Sequence, residues 1–140
     1  MSKKRFTLKQ ANKELSIIKS SVEKLMALHR FLEILESVEI ENETEDLSIE
    51  KTITELHMDF HKKMYFYHLH MRKMISKGLY VRDLDIGIID FPSQYNGKNI
   101  FLSWIYGEDT ITHWHESNCE FTERKPLRQL KKDTKPSQTM

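Results

Sequence analysis

Two histidines separated by one residue, His113 and His115, are candidate metal ligands. They fall in a segment that predicts a β-strand, where side chains two positions apart point to the same face. Imidazole nitrogens bind transition metals such as zinc, which takes at least three protein ligands. The two histidines are therefore an incomplete site for a divalent metal, and the third ligand would come from Glu108 or from an acid of the first predicted hairpin.

Acidic, basic and imidazole side chains also lie near the predicted turns and strand ends, where a rigid scaffold displays functional groups. The set is Asp83, Asp85, Asp90, Glu108, His115 and Arg124. In a simple meander Asp90 and Glu108 lie at opposite ends of the sheet, so one pocket cannot hold all six. A smaller catalytic set of Glu108, His115 and Arg124 can meet if the C-terminal segment folds back. Glu108 and His115 would then act as acid and base or as metal ligands, and Arg124 would hold an anion.

The same residues have a structural interpretation. Asp90 would pair with Arg124, Glu108 would cap a turn, and His115 would hydrogen-bond a backbone group.

Two tryptophans complete the candidate ligand-binding group, which consists of Asp83, Asp90, Trp104 and Trp114. The indole rings would line a cleft for a flat ligand. Large aromatic side chains in a small sheet are also typical core residues, and the sequence leaves that choice open.

Histidines also recur in the second predicted helix. His57 and His61 are four residues apart, and His68 lies on the same helical face. This spacing suits a metal ion, but these side chains also flank an apolar stripe, where they would form a helix interface that responds to pH.

The elements that position these residues divide the chain into two halves. All four glycines follow residue 77, at nearly even spacing, with β-branched and aromatic stretches between them. Such spacing predicts the turns of a four-stranded antiparallel meander over residues 79–115, and Asn96-Gly97 is its strongest hairpin signal. In the third strand both faces are apolar, which predicts that both are covered.

The glycine-free half predicts two helices. Thr7 and Gln10 form a capping box, apolar residues then recur at helical spacing over residues 8–32, and a second stripe over residues 49–74 ends at Gly78. The predicted fold is α+β: a long antiparallel helical hairpin (7–77) packed on the small sheet. We expect one domain over residues 1–126 and a mobile basic tail over residues 127–140.

Element lengths predict a partner for the helices. A helix of about 30 residues is roughly 45 Å long, whereas a six-residue strand spans about 20 Å. The sheet cannot cover both apolar stripes, so we expect a homo-oligomer, most simply a twofold dimer.

The net charge is only +1, but the charged residues are distributed unevenly along the chain. Residues 33–50 contain eight acids and no Lys or Arg, whereas bases dominate from Arg124 onward. Such runs are usually solvated, but they also suit attraction between subunits, or nucleic-acid binding through the basic tail and Ser2–Arg5. Nucleic acid is the least favoured partner.

Composition predicts a cytoplasmic protein with no membrane segment. Charged residues make up 31% of the chain, and no apolar run approaches the length of a membrane span. The basic start lacks an apolar continuation typical of a secretory signal, and the single cysteine, Cys119, fits a reducing compartment.

Several short motifs, taken in order, resemble one prokaryotic family of unknown function, domain of unknown function family 2203. They are Phe-Thr-Leu-x-x-Ala-Asn at residues 6–12, Gly-Ile-Ile-Asp-Phe-Pro at 87–92, Asn-Gly at 96–97, Leu-Ser-Trp at 102–104, Gly-Glu at 107–108, Trp-His at 114–115 and Arg-Lys-Pro-Leu at 124–127. The resemblance spans nearly the whole chain and implies a small soluble protein without an established activity. Ser103 stands where a cysteine is common in that family, so we infer no thiol chemistry there.

Three functions remain open at this point. The first is a homo-oligomeric interaction or scaffold module working through its helices. The second is a small-ligand or metal-dependent enzyme, of a hydrolytic kind, that uses Glu108, His115 and Arg124. The third is nucleic-acid binding through the basic termini.

Overall fold

A computed structural model of the chain describes residues 5–39, 47–117 and 124–128. Two long helices come first, α1 (Leu8–Glu39) and α2 (Leu47–Ser76). Five strands follow: β1 (Tyr80–Asp83), β2 (Ile88–Tyr95), β3 (Lys98–Ile105), β4 (His113–Glu116) and β5 (Lys125–Pro126). The strands lie in chain order, and each neighbouring pair is antiparallel. The predicted α+β fold, with a helical hairpin followed by a meander, is confirmed.

The sheet has five strands, one more than predicted. In β5, Pro126 pairs with His113 and Lys125 pairs with Trp114. A two-residue strand is too short to show a period of two, and its proline cannot donate a hydrogen bond, which suits its place at the edge of the sheet. The next residue, Leu127, was predicted to belong to the mobile tail and is buried in the core. Cys119 and residues 129–140 lie outside the described residues.

Local hydrogen bonds fix both ends of the helical hairpin. The Gln10 backbone N–H donates to Thr7 Oγ1 (3.1 Å), and the Thr7 N–H donates to Gln10 Oε1 (3.0 Å), which is the predicted capping box. After α2, the Gly78 N–H donates to Ile75 O (2.9 Å) and the Leu79 N–H donates to Met74 O (3.2 Å). This pair of bonds is a Schellman motif, and it turns the chain directly into β1.

One side of helix α1 is deeply buried. Five of its side chains are at most 1% exposed: Ala11, Leu15, Ile18, Val22 and Leu25. They share one core with residues of the central strands, including Phe91, Leu102 and Trp104. In the described part of α2 only Met74 is buried, while Tyr67 and Met71 pack against the core from its border. Most of α2 therefore covers α1 from outside.

Both faces of β3 are buried, as its sequence predicts. Ile100, Leu102 and Trp104 belong to the core shared with α1, whereas Phe101 and Ser103 are buried on the opposite face. Neither helix of the described chain has a stretch apolar enough to cross a membrane.

At Gly87 the β1–β2 turn comes close to α1. Its φ is 82°, and a Cβ built there would lie 2.6 Å from Tyr106 Cβ and 2.8 Å from Met26 Sδ. Gly97 has a similar φ of 77°, but nothing lies within 4 Å of such a Cβ. Both glycines have a positive φ, but only Gly87 has neighbouring atoms that a Cβ would meet.

We predict that Gly87→Ala destabilises the protein by about 1–3 kcal/mol more than Gly97→Ala, because only the first adds a steric clash to the strained φ. Urea unfolding monitored by circular dichroism measures both variants. Equal losses of unfolding free energy would contradict the close approach at Gly87.

Candidate functional site

The face of the sheet turned away from α1, here called the outer face, carries three of the predicted site residues, Asp90, His113 and His115. One row of neighbours crosses it from β1 to β5. The row is Tyr80, Asp90, Ser103, His113 and Pro126. Because side chains alternate along a strand, Arg82 and His115 lie on this face as well. Polar groups from four strands are thus brought together.

Asp90 is the centre of a buried ion-pair network with Arg82 and His115, here called the Asp90 network. Its Oδ2 accepts hydrogen bonds from Arg82 Nε and from His115 Nε2, both at 2.8 Å. The side chains of Asp90 and His115 are 1% and 2% exposed. Three strands, β1, β2 and β4, are therefore tied together by one carboxylate.

Hydrogen-bond acceptors lie beside both nitrogens of the His115 imidazole, which favours its protonated form. Its second nitrogen, Nδ1, lies 2.9 Å from the backbone oxygen of Glu116, so both ring nitrogens face oxygens that accept hydrogen bonds. Burial acts most strongly and opposes protonation, but the hydrogen bond to Asp90 and its charge outweigh burial and raise the pKa of His115 above 6.5. When both nitrogens carry protons, the ring has no lone pair for a metal or a substrate proton.

Two oxygens near the Asp90 network have no hydrogen-bond partner although they are buried. They are Asp90 Oδ1 and Ser103 Oγ, which belong to directly paired residues of β2 and β3. Buried polar atoms are nearly always satisfied, so this pair marks the place on the outer face where a small polar ligand would gain hydrogen bonds.

Arg82 covers the network from the β1 side. Its guanidinium lies 4.7 Å from the ring centre of Phe101 and 5.0 Å from that of Tyr80. The Phe101 ring in turn lies 5.4 Å from the His115 ring. Cation–π contacts thus keep the exposed arginine positioned over the buried carboxylate.

Glu108 and Arg124 form a second cluster at the turn after β3. Glu108 Oε1 accepts from Arg124 (3.0 Å) and from the Ile105 backbone N–H (2.8 Å), and its Oε2 accepts from the Thr112 hydroxyl (3.1 Å). Arg124 also donates to Ser103 O (3.1 Å). The carboxylate braces the turn and anchors the segment that leads into β5.

The two histidines of the predicted metal pair share a face but have separate partners. His113 Nδ1 lies 2.8 Å from Thr112 Oγ1 and 3.9 Å from Glu108 Oε2. Burial lowers the pKa of His113, and the charge of Arg124 lowers it further, against the opposing effect of Glu108. The described residues bring no third ligand to this pair.

The predicted catalytic set is thus only partly assembled. Glu108 and Arg124 meet, whereas His115 belongs to the Asp90 network. Asp90 pairs with Arg82 where the structural interpretation named Arg124. The other parts of that interpretation describe the geometry well, since Glu108 caps a turn and His115 contacts a backbone oxygen.

The predicted ligand-binding residues other than Asp90 have structural contacts. Asp83 Oδ1 accepts from the backbone N–H groups of Asp85 (2.7 Å) and Ile86 (3.0 Å), which caps the β1–β2 turn. Trp104 is 1% exposed in the core, and its indole N–H donates to Glu108 O (2.8 Å). Trp114 is 8% exposed, and Lys125 Nζ lies 5.0 Å from its ring centre.

Sequence reasoning missed Arg82 as a member of the site. The signal was present, because Arg82 alternates with Tyr80 and must share its face, but the pairing of Tyr80 with Asp90 depends on a register that only the folded sheet defines.

A second surface of interest is the side of α2 that points away from α1, here called the α2 stripe. It consists of Met58, Tyr65 and Leu69, which are 68%, 64% and 47% exposed. At 100° per residue these three positions lie within about 40° of one another, opposite Tyr67 and the rest of the inner side. Within the described residues, these three neighbouring apolar side chains are therefore left largely uncovered.

We predict that NMR titration gives His115 a pKa above 6.5 and that Asp90→Asn moves it below 6.5, because burial then acts without its counter-charge. A pKa raised by folding adds stability that is present below the unfolded value and is lost as pH rises through the folded value. The stability difference between the native chain and His115→Gln should therefore shrink above pH 6.5. Glu108→Gln is the control, and an equal effect on His115 from that variant would contradict the assignment.

Comparison with known proteins gives a family but no activity. No curated protein and no solved structure matches the chain. One family model matches residues 4–127, which include both helices and all five strands. Over that range the chain belongs to the family described as Uncharacterized conserved protein (DUF2203).

Proposed function

We propose that this protein is a homodimeric interaction module in which the α2 stripe of one copy packs against the same stripe of a second copy. The observation that carries the proposal is the exposure of Met58, Tyr65 and Leu69 on one side of a long helix. Burying such side chains is worth about 1.5–3 kcal/mol each, so a single chain in water leaves a large stabilising contribution unused.

The distribution of charge along α2 supports a second copy as the occupant. Its first half, residues 47–60, carries Glu50, Glu55 and Asp59 against Lys51. Its second half, residues 61–76, carries four bases and no acid: Lys62, Lys63, Arg72 and Lys73. An antiparallel copy places the acidic half of each helix beside the basic half of the other. Complementary ends of this kind favour a closed twofold pair over a chain of copies.

The apolar positions define a register for this pair. Met58 and Leu69 lie at equal distances from the midpoint of the α2 stripe, so in an antiparallel pair each Met58 faces the partner's Leu69. Glu55 and Lys73 lie on the same flank of the stripe, and in antiparallel helices like flanks meet. Glu55 is thus near the partner's Lys73, and the same contact recurs across the twofold axis.

We assign this module to the cytoplasm of a prokaryotic cell. A single cysteine among 140 residues fits a reducing compartment. The dimer would present its two sheets to a further protein partner, which is the scaffold role proposed here.

An enzyme that binds a small polar ligand at the outer face is the second candidate. The unpartnered oxygens Asp90 Oδ1 and Ser103 Oγ favour it. It ranks second because both nitrogens of His115 and both oxygens of Glu108 already have partners. A melting shift caused by a small polar compound and lost in Ser103→Ala would support this function.

We predict that the full-length protein shows a concentration-dependent dimer mass in light scattering and that Leu69→Glu weakens dimerisation by about 100-fold, because two charges enter one apolar interface. Ile86→Glu is the matched control, since Ile86 is similarly exposed (53%) but lies in the β1–β2 turn. A monomer mass at every concentration, or equal loss in both variants, would contradict the proposal.

A charge reversal at Lys73 tests the antiparallel register. Lys73→Glu should weaken dimerisation about tenfold at low salt, since the substituted side chain lies near the partner's Glu55 in both symmetric contacts of the dimer. Adding Glu55→Lys to this variant should restore dimerisation. Sedimentation equilibrium gives the dissociation constants. Failure of the second change to restore binding would exclude this register while leaving the stripe itself as the interface.

A further inference from the structure

Three potential metal-ligand atoms converge where α1 meets the β1–β2 turn. His29 Nε2 lies 3.0 Å from Glu33 Oε1 and 3.2 Å from Asp85 Oδ1. All three ligand atoms lie within 4.8 Å of one another, and no other group of three is found among the described residues. None of these residues belongs to the outer face of the sheet or to the α2 stripe.

Two elements with fixed relative positions bring the ligands together. His29 and Glu33 are four residues apart on α1, so they share one side of the helix. Asp85 comes from the β1–β2 turn, whose backbone is fastened by Asp83 and pressed against Met26 at Gly87. Since Met26 precedes His29 by less than one helical turn, the close packing at Gly87 holds Asp85 beside the helix.

The spacing of the atoms suits a shared cation. Zinc binds imidazole nitrogen and carboxylate oxygen at about 2.0–2.2 Å, so two ligands at tetrahedral or octahedral angles lie about 2.8–3.6 Å apart. The two distances from His29 Nε2 fall within this interval. Little movement would be needed to admit an ion among the three side chains.

Exposure and charge also favour an ion. The side chains of His29, Glu33 and Asp85 are 28%, 57% and 70% exposed, so an ion can enter and keep water ligands. Two carboxylates provide negative charge, and the site lies at the start of the acidic run that begins at Glu33. One imidazole with two carboxylates is a ligand set for zinc and similar transition metals, because calcium and magnesium prefer oxygen alone.

We propose that His29, Glu33 and Asp85 bind a divalent transition-metal ion of the zinc class in an open, three-ligand site. The ion joins α1 to the β1–β2 turn and replaces the hydrogen bonds that the imidazole otherwise makes to the two carboxylates. It thereby stabilises the orientation of the helical hairpin relative to the sheet.

The test is calorimetric titration of zinc chloride into the full-length protein, purified without a histidine tag and freed of metal by a chelator. We expect one saturable site and a higher melting temperature with zinc. His29→Ala and Asp85→Asn should each weaken binding at least about tenfold. His57→Ala is the control, because His57 is an exposed α2 histidine four residues from His61.

Each outcome decides the question. Binding that is lost in His29→Ala and Asp85→Asn but kept in His57→Ala supports the site. No saturable binding, or binding that survives Asp85→Asn, overturns it, and the three side chains then form only a hydrogen-bonded cluster around His29. Circular dichroism of each variant confirms that the fold is retained, which is expected because the three side chains lie at the surface.

Discussion

The packing of α1 against the sheet is the constraint on which the other features of this molecule depend. A stripe from Ala11 to Leu25 is almost fully buried against the central strands, and α2 then covers α1 from outside. Because α1 fills the inner face of the sheet, only the C-terminal part of α2, near Met74, reaches the core. Among the described elements, the remaining length of α2 packs mainly against α1, and its far side is exposed. The proposed interaction surface follows from this arrangement of lengths.

Ionic contacts, together with aromatic ones, stabilise the outer face of the sheet. Burying charges costs several kcal/mol per ion unless each is well paired, and here one carboxylate has two hydrogen-bonded basic partners, Arg82 and His115. Arg82, Asp90 and His115 come from three different strands, while Glu108 and Arg124 join the turn after β3 to the segment before β5. These bonds stabilise the outer face of this small sheet, as a second layer of helices does in a larger protein. They also explain why residues that resemble a catalytic set serve as cross-strand ties.

The proposed interface and the proposed metal site depend on different parts of the fold. The α2 stripe consists of exposed apolar side chains, whereas His29, Glu33 and Asp85 lie where α1 meets the β1–β2 turn. An ion at that junction would fix the angle between hairpin and sheet. In a dimer paired through α2, this angle determines how far apart the two outer faces are held, and thus what a partner meets.

The sequence alone determined the elements of this protein. Periods of 3.6 and two, the Thr7–Gln10 capping box and the Asn96-Gly97 turn are local, so they predict two helices and a meander with boundaries within a few residues. Strand β5 was not predicted, because two residues are too few to show the alternating pattern of a strand. Only the tertiary structure decided the partners of each charge, since Arg82 rather than Arg124 reaches Asp90 through the register of β1 on β2. The sequence also did not predict that His29 and Glu33 meet Asp85. The helical spacing of the first two residues can be read from the sequence, but Asp85 lies about fifty residues further along the chain. Local interactions cannot specify where such a distant turn packs.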